Sequence, residues 1–139
     1  MKRFLFIILA LVLSMQLVQI DKLNPDTPKE LEIKAEPVVM DIFKRACYDC
    51  HSNEVKWPWY SYVAPSSWTI AKHVKHGRQT LNFSTWENYT QEEKKKKLKE
   101  IYRTAYASMP LGSYMYFHEE AQLTREERTL IRDWTGVRK

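Results

Sequence analysis

Cys47-Tyr48-Asp49-Cys50-His51 holds both cysteines of the 139-residue chain, three positions apart, with a histidine directly behind them. This Cys-x-x-Cys-His pattern is typical of a covalent c-type haem attachment site. Two cysteines about one helical turn apart lie on the same side of a helix, so both can bond to the vinyl groups of one haem. The pattern therefore predicts one covalent haem c, held by thioether bonds from Cys47 and Cys50, with His51 bound to its iron.

Two other kinds of site use the same cysteines. A disulfide between Cys47 and Cys50 would form a thioredoxin-like redox pair in an oxidising compartment, but it leaves His51 without a role. Zinc would require His73 and His76 as further ligands, and their His-x-x-His spacing is shorter than the usual zinc-finger spacing. Haem is preferred because it accounts for the whole motif.

The N-terminus has the layout of an export signal. Two basic residues, Lys2 and Arg3, precede an apolar run from Phe4 to Ile20. Because no Ala-x-Ala cleavage site follows, we expect a retained single-span anchor rather than a cleaved peptide. Three segments are predicted: a signal anchor or signal peptide over residues 1–20, an extended proline-containing linker over 21–37, and a haem-binding domain over 38–139.

Charge and topology limit the partners. The formal net charge of +5 is too small to indicate nucleic-acid binding. Basic residues before the apolar run stay in the cytoplasm, which places the rest of the chain outside. We expect a protein of the bacterial cytoplasmic membrane with its haem domain in the periplasm, or a periplasmic protein if the leader is removed. The run Lys94 to Lys97 is an exposed helix face or a docking patch for an acidic redox partner or anionic lipid.

The rest of the sequence predicts helices. Apolar residues recur at helical spacing directly before the cysteine motif, at Val38, Val39, Ile42, Phe43 and Ala46. Another helix is expected from Pro65 to a stop at Gly77. Three capping-box patterns mark further helix starts: Ser84 with Glu87, Thr90 with Glu93, and Thr124 with Glu127. Two later helices each have one apolar face, formed by Leu98, Ile101, Tyr102 and Ala105 and by Leu130, Ile131 and Trp134. The fold class is all-α, with the haem in the core.

The second axial ligand decides whether the sixth coordination position of the iron is occupied by the protein or open to another molecule. The candidates are Met109, Met115, His73, His76, His118 and Met40. We prefer Met109, since a loop methionine held by Pro110 can present its sulfur to iron. His73 and His118 are the alternatives.

Several stretches resemble the bacterial haem-binding domain family over about Val38 to Gly136, with a similar membrane leader. They are Cys47 to Asn53, Trp57-Pro58-Trp59-Tyr60, His73-Val74, Gly77-Arg78, Leu81-Asn82-Phe83-Ser84, Trp86, Met109-Pro110-Leu111, Tyr114, His118 and Leu123-Thr124. The resemblance implies one c-type haem, a fold similar to small cytochromes c, and a second ligand from a Met-Pro loop before the last helix. It leaves bis-histidine ligation through His73 open. By position, Arg78 is a candidate contact for a haem propionate, or an ordinary surface arginine.

The leading functional hypothesis is a membrane-tethered one-electron carrier with His51 and Met109 as axial ligands, which exchanges electrons with a redox partner at the membrane. Such a protein catalyses no reaction. The alternatives are a haem-based redox or gas sensor and a small peroxidase. In the sensor, Met109 is displaced or the sixth position is empty. The peroxidase needs an open iron and would use His73 as its distal acid-base group.

Overall fold

In the computed structural model, which describes residues 1–137, the chain forms helices joined by loops, and none of these residues lies in a strand. The all-α prediction is confirmed. The α-helices are α1 (Lys2–Met15), α2 (Pro37–Ala46), α3 (Tyr48–His51), α4 (Ser66–Thr80), α5 (Gln91–Ala107), α6 (Gly112–Met115) and α7 (Arg125–Thr135). Short 3₁₀-helices cover Lys29–Leu31, Trp59–Tyr62, Phe83–Asn88 and Glu119–Ala121. The last two residues of the predicted domain 38–139 lie outside the described range.

The cysteine motif follows a helix, as predicted, but the helix breaks at its first cysteine. α2 starts with Pro37 at its first position, where the missing N–H costs no hydrogen bond. Cys47 ends α2 and caps α3, with a φ of −126°. Phe43, fully buried, stacks on Phe83 at 5.0 Å between ring centroids. This aromatic contact fixes α2, and hence the start of the motif, in the core.

α5 and α7 start at two of the predicted capping boxes. In each, the threonine side chain accepts the backbone N–H of the glutamate three residues later, and that glutamate accepts the N–H of the threonine. The two helices pack together and bury Ile101, Ala105 and Ile131. Leu130, predicted on the apolar face of α7, is instead 39% exposed.

Two predicted helix boundaries are wrong. α4 continues through Gly77 to Thr80, because the glycine serves a close helix contact rather than a left-handed turn. Ser84 does not cap a helix: the Asn82 side chain accepts the Ser84 N–H at 3.0 Å, and Ser84 is buried within a 3₁₀-helix. Its hydroxyl accepts the backbone N–H of Asn53 at 2.9 Å instead.

The apolar N-terminus forms α1, which has no buried residue. The prediction of a spanning helix within residues 1–20 is not supported, because no helix in the described range combines the length and apolar character needed to cross a membrane.

Residues 21–37 pack against the domain and do not form a free linker. Ile33 is 2% exposed in the hydrophobic core, and its N–H donates to the carbonyl of Phe83 at 2.9 Å. Asn24 exchanges two hydrogen bonds with the backbone of Val55, at 2.9 and 3.2 Å. The Thr27 hydroxyl accepts a bond from the Asn53 side chain at 2.6 Å. This segment, which includes a short 3₁₀-helix, therefore completes the core.

The role of this segment predicts a stability difference between two variants within it. Ile33→Ala should lower the free energy of unfolding by about 2–5 kcal/mol, because it leaves a cavity in the core. Leu23→Ala, at a side chain 67% exposed, should change it by less than about 0.5 kcal/mol. Urea unfolding followed by circular dichroism measures both. Equal, small effects would show that the segment is a free tether.

Candidate functional site

His51 ends α3 with one ring nitrogen anchored. Its Nδ1 lies 3.1 Å from the carbonyl oxygen of Gly77 and 3.0 Å from that of Leu81. Carbonyl oxygens only accept, so Nδ1 carries the proton and Nε2 keeps its lone pair. Burial lowers the pKa of His51, which favours the neutral ring. A neutral histidine with its far nitrogen anchored is the usual form of a metal ligand.

Close packing between α3 and α4 makes this anchor possible. A Cβ atom on Gly77 would lie 2.3 Å from the carbonyl oxygen of Cys50 and 3.0 Å from its carbonyl carbon. Only glycine fits at such a distance, because these contacts involve backbone that cannot move aside easily. Gly77 therefore allows α4 to bring its own carbonyl within reach of His51.

The two cysteines are free and half-buried. Burial raises the pKa of Cys47 to about 12 and that of Cys50 to about 11. Thiols in thioredoxin-like redox pairs have lowered pKa values, so this environment is the opposite of the one that activates them. Within residues 1–137, no group of three or more His, Cys, Asp or Glu side chains is placed to hold a metal ion, so the zinc site through His73 and His76 is not formed.

Two adjoining cavities open beside the motif, with volumes of about 550 and 340 Å³. Both are lined by Cys47, His51, Thr80, Met109 and Pro110. The larger also contacts Cys50, and the smaller reaches Phe43 and Phe83 in the core. Their volumes are in the range of cofactor sites, and their walls are largely apolar. Two thiols, a free imidazole nitrogen and this space together fit a haem.

The candidates for the second ligand differ in which cavity, if any, they line. Met109 lines both cavities, whereas His73 and His76 line only the larger one. His118 lines neither, and both of its ring nitrogens are engaged, one with the hydroxyl of Tyr60 at 2.8 Å and the other with Glu120 at 3.0 Å. The other two candidate methionines, Met40 and Met115, also line neither cavity.

Met109 is positioned by the end of α5. Its backbone N–H donates to the carbonyl of Thr104 at 2.8 Å, an acceptor shared with Ser108 at 2.9 Å. The side chain is half-buried and is followed by the buried Pro110. The methionine is thus held at the point where the helix turns towards α6, in the loop predicted from sequence.

Arg78 lies outside both cavities. Its guanidinium donates to the carbonyl of Ser52 at 2.7 Å, to that of Leu23 at 2.8 Å and to the Asn24 side chain at 2.9 Å. Arg78 thus joins α4 to the loop after the motif and to the N-terminal part of the chain. Its contact with a haem propionate stays a prediction.

Tyr60 and Tyr114, which were named from the sequence only for the family resemblance, both line the larger cavity. The Tyr114 hydroxyl donates to Asp49, inside the motif, at 2.7 Å, and its ring stacks on His118 at 4.2 Å between centroids. Tyr60 contributes both a cavity wall and the hydrogen bond to His118. Aromatic residues near a cysteine motif carry no spacing signal, so only the fold brings them together.

Gly77→Ala tests the close contact of the two helices. The added methyl should force α4 away from Cys50, cost about 1–3 kcal/mol of folding free energy as overpacking does, and lower the fraction of chain carrying haem. Haem absorbance per protein, together with thermal unfolding, measures both effects.

Gly112→Ala is the matched control, because a Cβ there meets nothing within 4 Å. It should leave the haem content unchanged. The interpretation fails if the two variants load haem equally well.

Comparison with known proteins agrees with this site. Residues 10–136, most of the chain, match the family model of the haem-binding domain. No curated protein and no solved structure matches the chain. The chain belongs to the haem-binding domain family, and it is a haem-binding protein.

Proposed function

We propose that this protein is a one-electron carrier whose single haem c is bound to Cys47 and Cys50, with His51 and Met109 as the axial ligands. The observation that carries the proposal is the anchored His51, whose Nε2 is free beside two cavities that Met109 also lines. Haem would supply an iron that alternates between its ferrous and ferric states. The protein would supply the ligands, the orientation and the exclusion of water.

The position of the two cysteines in the cavity wall and their free thiols support covalent attachment of haem. Each thiol would add across one vinyl group: its S–H bond and the π bond of the vinyl group would break, and one carbon–sulfur and one carbon–hydrogen bond would form, with no leaving group and no external oxidant or reductant. Both thiols are free, and both line the larger cavity. Gly77, packed directly on Cys50, would keep the second of them at a fixed distance from α4.

The residues around the proposed ligands favour an iron whose two axial positions are both occupied by the protein. His51 is held by two carbonyls, and Met109 is held by the backbone bond to Thr104. A thioether ligand raises the reduction potential relative to a second histidine. A peroxidase would require an open sixth position, and His73, on the wall of the larger cavity, would then be the candidate acid-base group.

The location follows from attachment chemistry and from the leader. We propose that the haem domain lies in the periplasm and that residues 1–20 act as its export signal and hold it at the cytoplasmic membrane. Lys2 and Arg3 are the first two residues of α1, and most apolar side chains of this helix are exposed. A redox protein in or at the membrane is then the expected partner, and no nucleic acid is expected. Cell fractionation followed by haem staining tests this location.

Two ligand variants test the proposed axial pair. Met109→Ala should lose the methionine–iron charge-transfer band of the ferric protein and lower the reduction potential, because the thioether is removed. His73→Ala should keep the low-spin spectrum. Ferric and ferrous visible spectra of the purified variants, with a redox titration, are the measurements.

Met115→Ala is the matched methionine control, since Met115 lines neither cavity. Loss of the low-spin state in His73→Ala alone would replace Met109 by His73 as the ligand. A wild-type protein that is high-spin and binds carbon monoxide or peroxide rapidly would favour the sensor or peroxidase instead.

A further inference from the structure

One surface of the domain is unusually aromatic and exposed. Trp59 is 73% exposed, Tyr62 is 60% exposed and Val63 is 47% exposed. Trp59 and Tyr62 are three residues apart in a 3₁₀-helix, where such residues lie on the same side. These three residues are called the aromatic face below. Tyr60, on the other side of the same helix, is buried and lines the larger cavity.

The N-terminal part of the chain is fixed next to the aromatic face. The Gln16 side chain accepts the N–H of Ala64 at 2.9 Å and donates to its carbonyl at 3.2 Å. The Trp68 indole donates to the carbonyl of Val18 at 3.2 Å. The Lys22 ammonium lies 4.2 Å from the centre of the Tyr62 ring. α1 therefore leaves the domain directly beside the aromatic face.

Exposed apolar surface continues from this face into α1. Most apolar side chains of α1 are between 42% and 69% exposed, and those of Leu17 and Val18 beyond it are 82% and 58% exposed. A helix that is apolar all round belongs in lipid or in a protein core, and here the domain does not cover it. Tryptophan and tyrosine beside such a helix are typical of the membrane–water interface.

Basic side chains border the same region. On α4, Trp68, Lys72 and Lys75 follow one another at helical spacing, so they share a side of the helix. Both lysines are exposed, and Trp68 contacts the N-terminal part of the chain. With Lys22, they place positive charge where anionic lipid headgroups would lie.

We propose that the aromatic face is a membrane-binding surface, which rests on an anionic phospholipid bilayer and sets the orientation of the haem domain. The haem cavity then lies behind the face, separated from the lipid by the Trp59–Tyr62 helix. The inference rests on the membrane location proposed above and not on the redox role.

The test uses the full-length haem-loaded chain in nanodiscs of phosphatidylethanolamine and phosphatidylglycerol. Hydroxyl radicals from X-ray radiolysis oxidise exposed side chains, and mass spectrometry gives a rate for each. Trp59 and Tyr62 should react at least about fivefold more slowly than their exposure implies, because interfacial side chains are removed from bulk water. Tyr106 on α5, only 45% exposed, is the internal reference and should stay reactive.

Two charge variants allow the oxidation rate of one residue, Tyr62, to be compared between chains, so the result does not depend on the different reactivities of tryptophan and tyrosine. Trp59→Glu should release the face from lipid and raise the oxidation rate of Tyr62 severalfold, whereas Tyr106→Glu should leave that rate unchanged. If Trp59 and Tyr62 react freely in a chain that stays in the nanodisc fraction, this inference is wrong and the membrane location stands. A chain that leaves the nanodisc fraction, or whose intact mass lacks α1, overturns both, while haem absorbance of the same sample tests the cofactor separately.

Discussion

The contact between α3 and α4 is the constraint on which the site depends. Gly77 lets the two helices approach until backbone touches backbone, and the same approach brings the carbonyls of Gly77 and Leu81 to His51. The histidine is thereby oriented by main-chain atoms, which cannot rotate away as a side-chain partner could. The same contact positions Cys50, which packs directly against Gly77, while Cys47 is the C-cap residue of α2.

The N-terminal part of the chain supports this arrangement from outside. Arg78, one residue after Gly77, donates to Ser52 just beyond the motif and to Leu23 and Asn24. A single side chain thus ties α4, the end of the attachment motif and the incoming chain together. The family match begins at residue 10, which agrees with a domain whose integrity includes residues before α2.

The predictable part of the fold came from side-chain patterns with a local cause. The helix before the cysteine motif, the capping boxes at Thr90 and Thr124, and the loop that holds Met109 could all be identified because each depends on neighbouring residues. Gly77 could not, because a glycine needed for close approach looks the same in sequence as one that ends a helix. The role of Ile33 was equally hidden: one buried side chain in a proline-containing stretch gives no periodic signal.

The hydrogen-bond partners of His51 illustrate a further limit on predicting the site from sequence. They are carbonyl groups, which every residue carries, so no sequence feature marks Gly77 or Leu81 as ligand-orienting positions. Arg78 shows the converse case, since its charge suggested a cofactor contact, whereas its hydrogen bonds to Ser52, Leu23 and Asn24 could not be predicted from the sequence. Side-chain type predicts what a residue can do, whereas the fold decides which of its possible partners lies within reach.

The hydrogen bond from Tyr114 to Asp49 carries a consequence for the rigidity of the site. It joins α6, which begins three residues after Met109, to the middle of the attachment motif. Both sides of the site are thus held together by the polypeptide itself. In the proposed carrier, a site held in this way would need little nuclear rearrangement when its charge changes, so its reorganisation energy would be small and its self-exchange fast.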